Sequence, residues 1–225
     1  MTPVLMAQIG FPQASGALLL TGASGAIEAH IEWPDAARRR DLVAVICHPH
    51  PLHGGSMGNK VVTTCERGLR DLGAITLRFN FRGVGKTAGV FDEGRGEGDD
   101  LAAICAWMRA AHPDAALILA GFSFGAYVSI SRAAEIAPAL LISIAPPVGR
   151  FDLQSFAVPT CPWLVLQPDA DEVVDAQAVY AWVAQQPSPP TLVRFAATSH
   201  FFHGKLLELR AAIAAGVAEQ LPQPA

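Results

Sequence analysis

The sequence predicts one α/β domain, a mostly parallel twisted sheet with helices on both faces. Three observations predict it. Short aliphatic and β-branched runs alternate with segments of helical period, the order that builds strand–helix–strand crossovers. Residues 42–47 and 117–121 carry uninterrupted small and apolar runs, as strands buried on both faces require. Hydrophobic residues make up 51% of the 225 and charged ones only 16%, which suits a large core and excludes a disordered chain.

The elements follow in order. Residues 16–21 and 25–33 read as a hairpin turning at Gly22-Ala23-Ser24-Gly25, and so as an antiparallel edge. Residues 42–47 are a central strand. Helical spacing runs over 60–72 and stops at Gly73. A strand at 74–81 and a helix at 97–111 come next, then a strand at 117–121 and a helix at 125–134. Strands at 140–145 and 163–166, a helix at 175–185, a strand at 191–195 and a closing helix at 204–221 complete the pattern. The irregular stretches 48–58, 82–96 and 146–160 are long for a compact domain, and such loops tend to carry function. With no repeat and no low-complexity linker, residues 1–225 are expected to form a single domain.

Composition excludes several functions. A net charge of -4 gives no basic footprint for nucleic acid, and Arg38-Arg39-Arg40 reads as a solvated turn. Cys47, Cys65, Cys105 and Cys161 make no CxxC pair, so they are expected to be reduced cysteines of a cytoplasmic protein. No stretch approaches the roughly 20 apolar residues of a membrane helix. The first cation is Arg38 and the apolar run at 17–20 is short, so no secretory leader is expected. No cofactor or metal is expected, the partner is expected to be a small molecule, and the oligomeric state is open.

The chemistry concentrates at Gly121-Phe122-Ser123-Phe124-Gly125, between a strand and a helix. A serine hydroxyl attacks only when a base takes its proton and donors hold the resulting oxyanion. A Gly-x-Ser-x-Gly turn lifts the hydroxyl above the sheet edge and aims a helix N-terminus at the developing charge. The base is expected at His200, in the loop beyond the last strand, with His203 as competitor. The acid follows the strand at 163–166, at Asp171 or at Asp169. The order Ser, Asp, His along the chain is that of the α/β hydrolases.

On these residues the chain resembles the α/β-hydrolase superfamily over nearly its whole length, and within it the small, lidless bacterial α/β serine hydrolases. The resemblance is carried by Gly121 to Gly125 and by three further segments. These are Cys47-His48-Pro49-His50-Pro51-Leu52-His53-Gly54-Gly55-Ser56-Met57, Arg78-Phe79-Asn80-Phe81-Arg82-Gly83-Val84-Gly85 and His200-Phe201-Phe202-His203-Gly204. It implies an esterase-like hydrolase acting through an acyl-enzyme. A family pattern Gly-x-x-Asp-x-x-Val, with Pro168 in the glycine position, favours Asp171. The resemblance also implies an oxyanion hole made by the Phe124 N–H and, from the loop after the first central strand, the His50 N–H, with Leu52 or His53 as alternatives. Pro49 and Pro51 have no N–H to give. Met57, Asn59, Arg82 and Phe201 are expected around the pocket rim. Many relatives insert a cap after Ala145, but the stretch before the next strand is too short for one.

Other readings compete. His48, His50 and His53 approximate a metallo-hydrolase signature, although Leu52 stands where an aspartate belongs. Gly83-Val84-Gly85-Lys86-Thr87 mimics a phosphate loop but has no helix after it. Thr21-Gly22-Ala23-Ser24-Gly25 resembles a dehydrogenase opening with its later glycines missing. A non-catalytic protein keeping the fold is the rival from another class.

Overall fold

The computed structural model describes residues 10–221, so the two ends of the 1–225 domain lie outside the described residues. Its strands are β1 (Gly16–Gly22), β2 (Gly25–Glu32), β3 (Leu42–Cys47), β4 (Ile75–Phe79), β5 (Ala116–Phe122), β6 (Leu140–Ile144), β7 (Trp163–Pro168) and β8 (Thr191–Phe195). The helices are α1 (Lys60–Asp71), α2 (Arg95–Ala111), α3 (Phe124–Ile136), α4 (Ala176–Ala184) and α5 (Leu206–Gln220). The strands form one eight-stranded sheet in the order β1-β2-β4-β3-β5-β6-β7-β8. β1 and β2 form the expected hairpin, β2 runs antiparallel to β4, and all later neighbours are parallel.

Two hydrophobic layers follow from the two-residue period of the strands. In β3, Val43, Val45 and Cys47 join the layer under α2, α3 and α4, while Leu42, Ala44 and Ile46 join the layer under α1 and α5. β5 divides likewise, with Leu117 and Leu119 on one side and Ile118 and Ala120 on the other. Both strands are buried throughout apart from the partly exposed first residue of β5, which is why neither sequence alternates in polarity.

Several boundaries differ from expectation by a residue or two, and three of them have a clear local reason. β4 ends at Phe79 rather than 81, because the Phe81 N–H leaves the ladder and donates to His48 Nε2 at 2.9 Å. α2 starts at Arg95 rather than 97, since the Glu97 carboxylate reaches back to accept the Gly94 and Asp92 N–H groups at 2.9 and 3.0 Å. α3 runs on to Ile136 because Ala137 adopts a left-handed cap, with Arg109 donating to the carbonyls of Ile136 and Ala137.

Strand order reverses between β3 and β5, with β4 on one side and β6 on the other. In open parallel sheets ligands sit in the crevice beyond the strand C-termini at such a switch point. The segments beginning at His48 and Ser123 emerge there, and those carrying Asp171 and His200 emerge from the same edge.

Candidate active site

Ser123 occupies the sharp junction of β5 and α3 with φ 54° and ψ -117°, a backbone that L-residues rarely adopt. Surrounding bonds hold it there. Its N–H donates to the Ile144 carbonyl at 2.9 Å, and its own carbonyl accepts from Ala126 at 2.8 Å and Tyr127 at 3.2 Å. The flanking glycines are required by close approach. A Cβ on Gly121 would stand 2.2 Å from the Gly125 carbonyl oxygen, and one on Gly125 would stand 2.4 Å from that of Cys47. The small residues therefore let the helix start press against both central strands.

His200 is buried, its ring 5.0 Å from Phe122, the residue before the serine, and 5.2 Å from Phe201. Its Nδ1 lies 2.8 Å from Asp171 Oδ2 and 3.0 Å from Oδ1. Because a carboxylate only accepts, Nδ1 carries the proton and Nε2 keeps the lone pair, the tautomer a general base needs. The His200 backbone N–H donates to Glu172 Oε2 at 3.0 Å, and the Ala170 N–H donates to the Thr198 carbonyl at 3.1 Å. These two bonds tie the loop bearing His200 to the loop bearing Asp171.

The Asp171 side chain is fully buried. Burial works against its ionisation, but the hydrogen bond from His200 and those from the N–H groups of Val174 and Val173 prevail, holding its carboxyl below the usual range. Both N–H groups reach Oδ1 at 2.8 Å, and Gln167 Nε2 reaches Oδ2 at 3.2 Å. The alternative, Asp169, is turned away. It accepts from the Tyr180 hydroxyl and from Arg194 at 3.2 and 3.3 Å, and these bonds lower its own pKa. His203 is exposed, with Ser199 Oγ 3.4 Å from its Nδ1.

The structure brings His200 and Asp171 together and packs the imidazole against the residue before Ser123. Phe124 begins α3, where the first N–H groups have no intrahelical acceptor. His50 precedes a short 3₁₀ turn (Pro51–His53), and its ring stands 4.9 Å from that of Phe124. Neither the Phe124 nor the His50 N–H donates to a protein group among the described residues. The Leu52 N–H is instead taken by His50 Nδ1 at 3.3 Å and the His53 N–H by the His50 carbonyl at 3.1 Å. Among the rim expectations, Phe201 borders the imidazole and is 40% exposed.

Two other residues expected at the rim have their side chains engaged within the fold. Asn59 caps α1, its side chain accepting the Val61 N–H at 2.8 Å. Arg82 is closed by a bidentate pair with buried Asp100 at 2.7 and 3.0 Å, so its guanidinium is committed inside the fold. Met57 uses its backbone to join Asn80 and Arg78. The metal reading also fails on chemistry. His48 Nε2 accepts from the Phe81 N–H, so Nδ1 must hold the proton it gives to the Pro49 carbonyl at 2.6 Å, leaving no lone pair for a metal.

Sequence reasoning missed Gln167, Glu172 and the rings that surround Phe124. Gln167 did give a signal, as the one amide side chain in strand β7, four residues before Asp171. A groove of about 210 Å³ under the 146–160 stretch, lined by Phe156, Trp163 and Trp182 among others, takes in none of Ser123, Asp171 or His200.

Known proteins are similar to this chain in sequence and fold. XC6422 of Xanthomonas campestris, described as an a/b serine hydrolase without lid, is 51% identical, with a TM-score of 0.92 over 96% of this chain and 99% of that one. An alpha-beta serine hydrolase homologue from Coxiella burnetii is 44% identical, with a TM-score of 0.89 over 93% of this chain and 100% of that one. The uncharacterized protein RP471 of Rickettsia prowazekii (strain Madrid E) is 35% identical over 208 residues, which cover 87% of this chain and 86% of that protein. No family model matches the sequence. The stretch between β6 and β7 contains no helix, in keeping with the absence of a lid in the Xanthomonas protein.

Proposed function

The chain belongs to the α/β serine hydrolases without a lid, and from that premise we propose that it cleaves carboxylic esters or related acyl bonds through an acyl-enzyme on Ser123. His200 Nε2 takes the hydroxyl proton as the serine oxygen attacks the carbonyl carbon. The Phe124 and His50 N–H groups hold the oxyanion of the tetrahedral intermediate, and Asp171 stabilises the imidazolium. Collapse breaks the bond to the leaving group, which receives the proton from His200. Water then gives a proton to His200 as it attacks the acyl-enzyme, and His200 passes that proton to the Ser123 oxygen as the acyl–serine bond breaks, which releases the acid and the free serine.

The observation that carries this reading is the buried His200–Asp171 pair at 2.8 Å, packed against the residue preceding a serine of strained backbone. Four unpaired cysteines, three of them buried, support the cytoplasm as the place of action. No helix among the described residues is long and apolar enough to cross a membrane. The test is hydrolysis of p-nitrophenyl acetate by the purified protein and by Ser123→Ala. The variant is expected to lose roughly 10³-fold or more in kcat while keeping its thermal unfolding transition. An inactive parent, or a variant as active as the parent, would overturn the proposal.

A further inference from the structure

We propose that the acyl side of this site selects a flat aromatic acyl group, of the arylalkanoyl class, over a saturated one of the same size. The inference rests on the functional reading above, which fixes three of the four directions around the attacked carbon. The serine oxygen is one. The leaving group must face the imidazole that protonates it, on the side of Phe122 and Phe201. The carbonyl oxygen faces the Phe124 and His50 amides. The acyl substituent is left with the surface that begins at the rings of those same two residues.

That surface is aromatic. The His50 ring lies 4.9 Å from both Phe91 and Phe124. Phe151 lies 5.4 Å from Phe124 and 4.7 Å from Tyr127. The rings come from four separate parts of the chain: the loop after β3, the loop after β4, helix α3 and the stretch after β6. Phe124 is buried beneath, whereas His50, Phe91, Tyr127 and Phe151 are half-buried and keep part of each ring accessible. Burial, then the neighbouring His53, lowers the pKa of His50, so it presents a neutral ring. The nearby aliphatic side chains, Leu52 and Val90, are 68% and 77% exposed and enclose nothing.

Without a lid, this is a wall that touches one side of a ligand. A flat ring meets such a wall with the offset or edge contacts that aromatic pairs favour, and it freezes few torsions. A saturated ring of equal carbon count buries similar area but has no quadrupole to match and no flat face.

The test compares methyl phenylacetate with methyl cyclohexylacetate, whose ester groups are each separated from the ring by one methylene. The parent is expected to show kcat/KM about three- to tenfold higher for the phenylacetyl ester. In Phe151→Leu, which keeps an apolar side chain but loses the ring, the ratio should fall toward one, and Phe91→Leu should act in the same direction. The ratio is taken within one sample, so loss of folded enzyme cancels. A parent ratio near one, or a ratio unchanged in both variants, overturns the proposal while leaving the hydrolase reading intact. A parent that cleaves neither these esters nor p-nitrophenyl acetate overturns the hydrolase reading and this inference with it. If neither variant folds, the parent ratio alone decides.

Discussion

Replacing Gln167 by leucine separates catalytic positioning from structural support. Gln167 is fully buried, donates from Nε2 to Asp171 Oδ2 at 3.2 Å and to the Pro168 carbonyl at 3.1 Å, and leaves its Oε1 without a partner. The bond to the carboxylate is charge-assisted, a class worth roughly 1.5–3 kcal/mol. Val173, Val174 and His200 still hold Asp171 in the variant. The lower end of that range, about 1.5 kcal/mol, is therefore the expected loss in orientation of Asp171, equal to about tenfold in kcat. Stability responds differently, because leucine also removes an orphaned buried carbonyl oxygen whose desolvation costs about 1–3 kcal/mol. The two effects offset, and Tm should move by no more than about 2–4 °C. The assay is steady-state ester hydrolysis with a thermal melt of the same preparation. A tenfold fall in kcat with KM and Tm nearly constant is expected. A kcat within twofold of the parent, or a melt lowered by more than about 8 °C, would refute the reasoning.

Three further outcomes are expected. Asp171→Asn keeps the shape of the acid but disturbs the imidazole tautomer, so kcat should drop by roughly 10³- to 10⁴-fold in the same assay with the fold retained. His48 is buried and neutral, its pKa pushed down from 6.5 to about 4 by desolvation despite the bond to Pro49. The unfolded chain therefore takes up this proton first, and stability present above pH 6.5 is lost as pH falls toward 4, by roughly 3 kcal/mol from this residue. Urea midpoints at pH 7 and pH 4.5 should show this slope in the parent and less of it in His48→Gln. Gly125→Ala forces a Cβ to within 2.4 Å of the Cys47 carbonyl oxygen, which backbone cannot yield, so it should cost about 1–3 kcal/mol or more in a melt and reduce activity.

Much of the fold was legible because strands and crossover helices leave separate signatures. The uninterrupted runs at 42–47 and 117–121 correspond to strands that have helices on both faces. Boundaries blurred where side chains intervene from far along the chain, as when His48 takes the Phe81 N–H across 33 residues. Within the candidate site, the pentapeptide, the order of Ser123, Asp171 and His200 along the chain, and the loop position of His200 could all be read directly. The fate of Asp169 could not, since it depends on Arg194 and Tyr180 arriving from β8 and α4. The partners of Arg82 and Asn59 were illegible for the same reason: polar side chains beside a motif suggest a rim, and only the packed structure shows them bound to Asp100 and to the start of α1. The aromatic wall was the least legible part, because its rings are spread from His50 to Phe151 with no shared pattern.

The central claim is that Ser123 is an activated nucleophile, and a fluorophosphonate probe measures this most directly. The probe should form one covalent adduct, located by peptide mass spectrometry on Ser123, and Ser123→Ala should remain unmodified. An unlabelled parent, or a label on another residue that persists in the variant, would contradict the account.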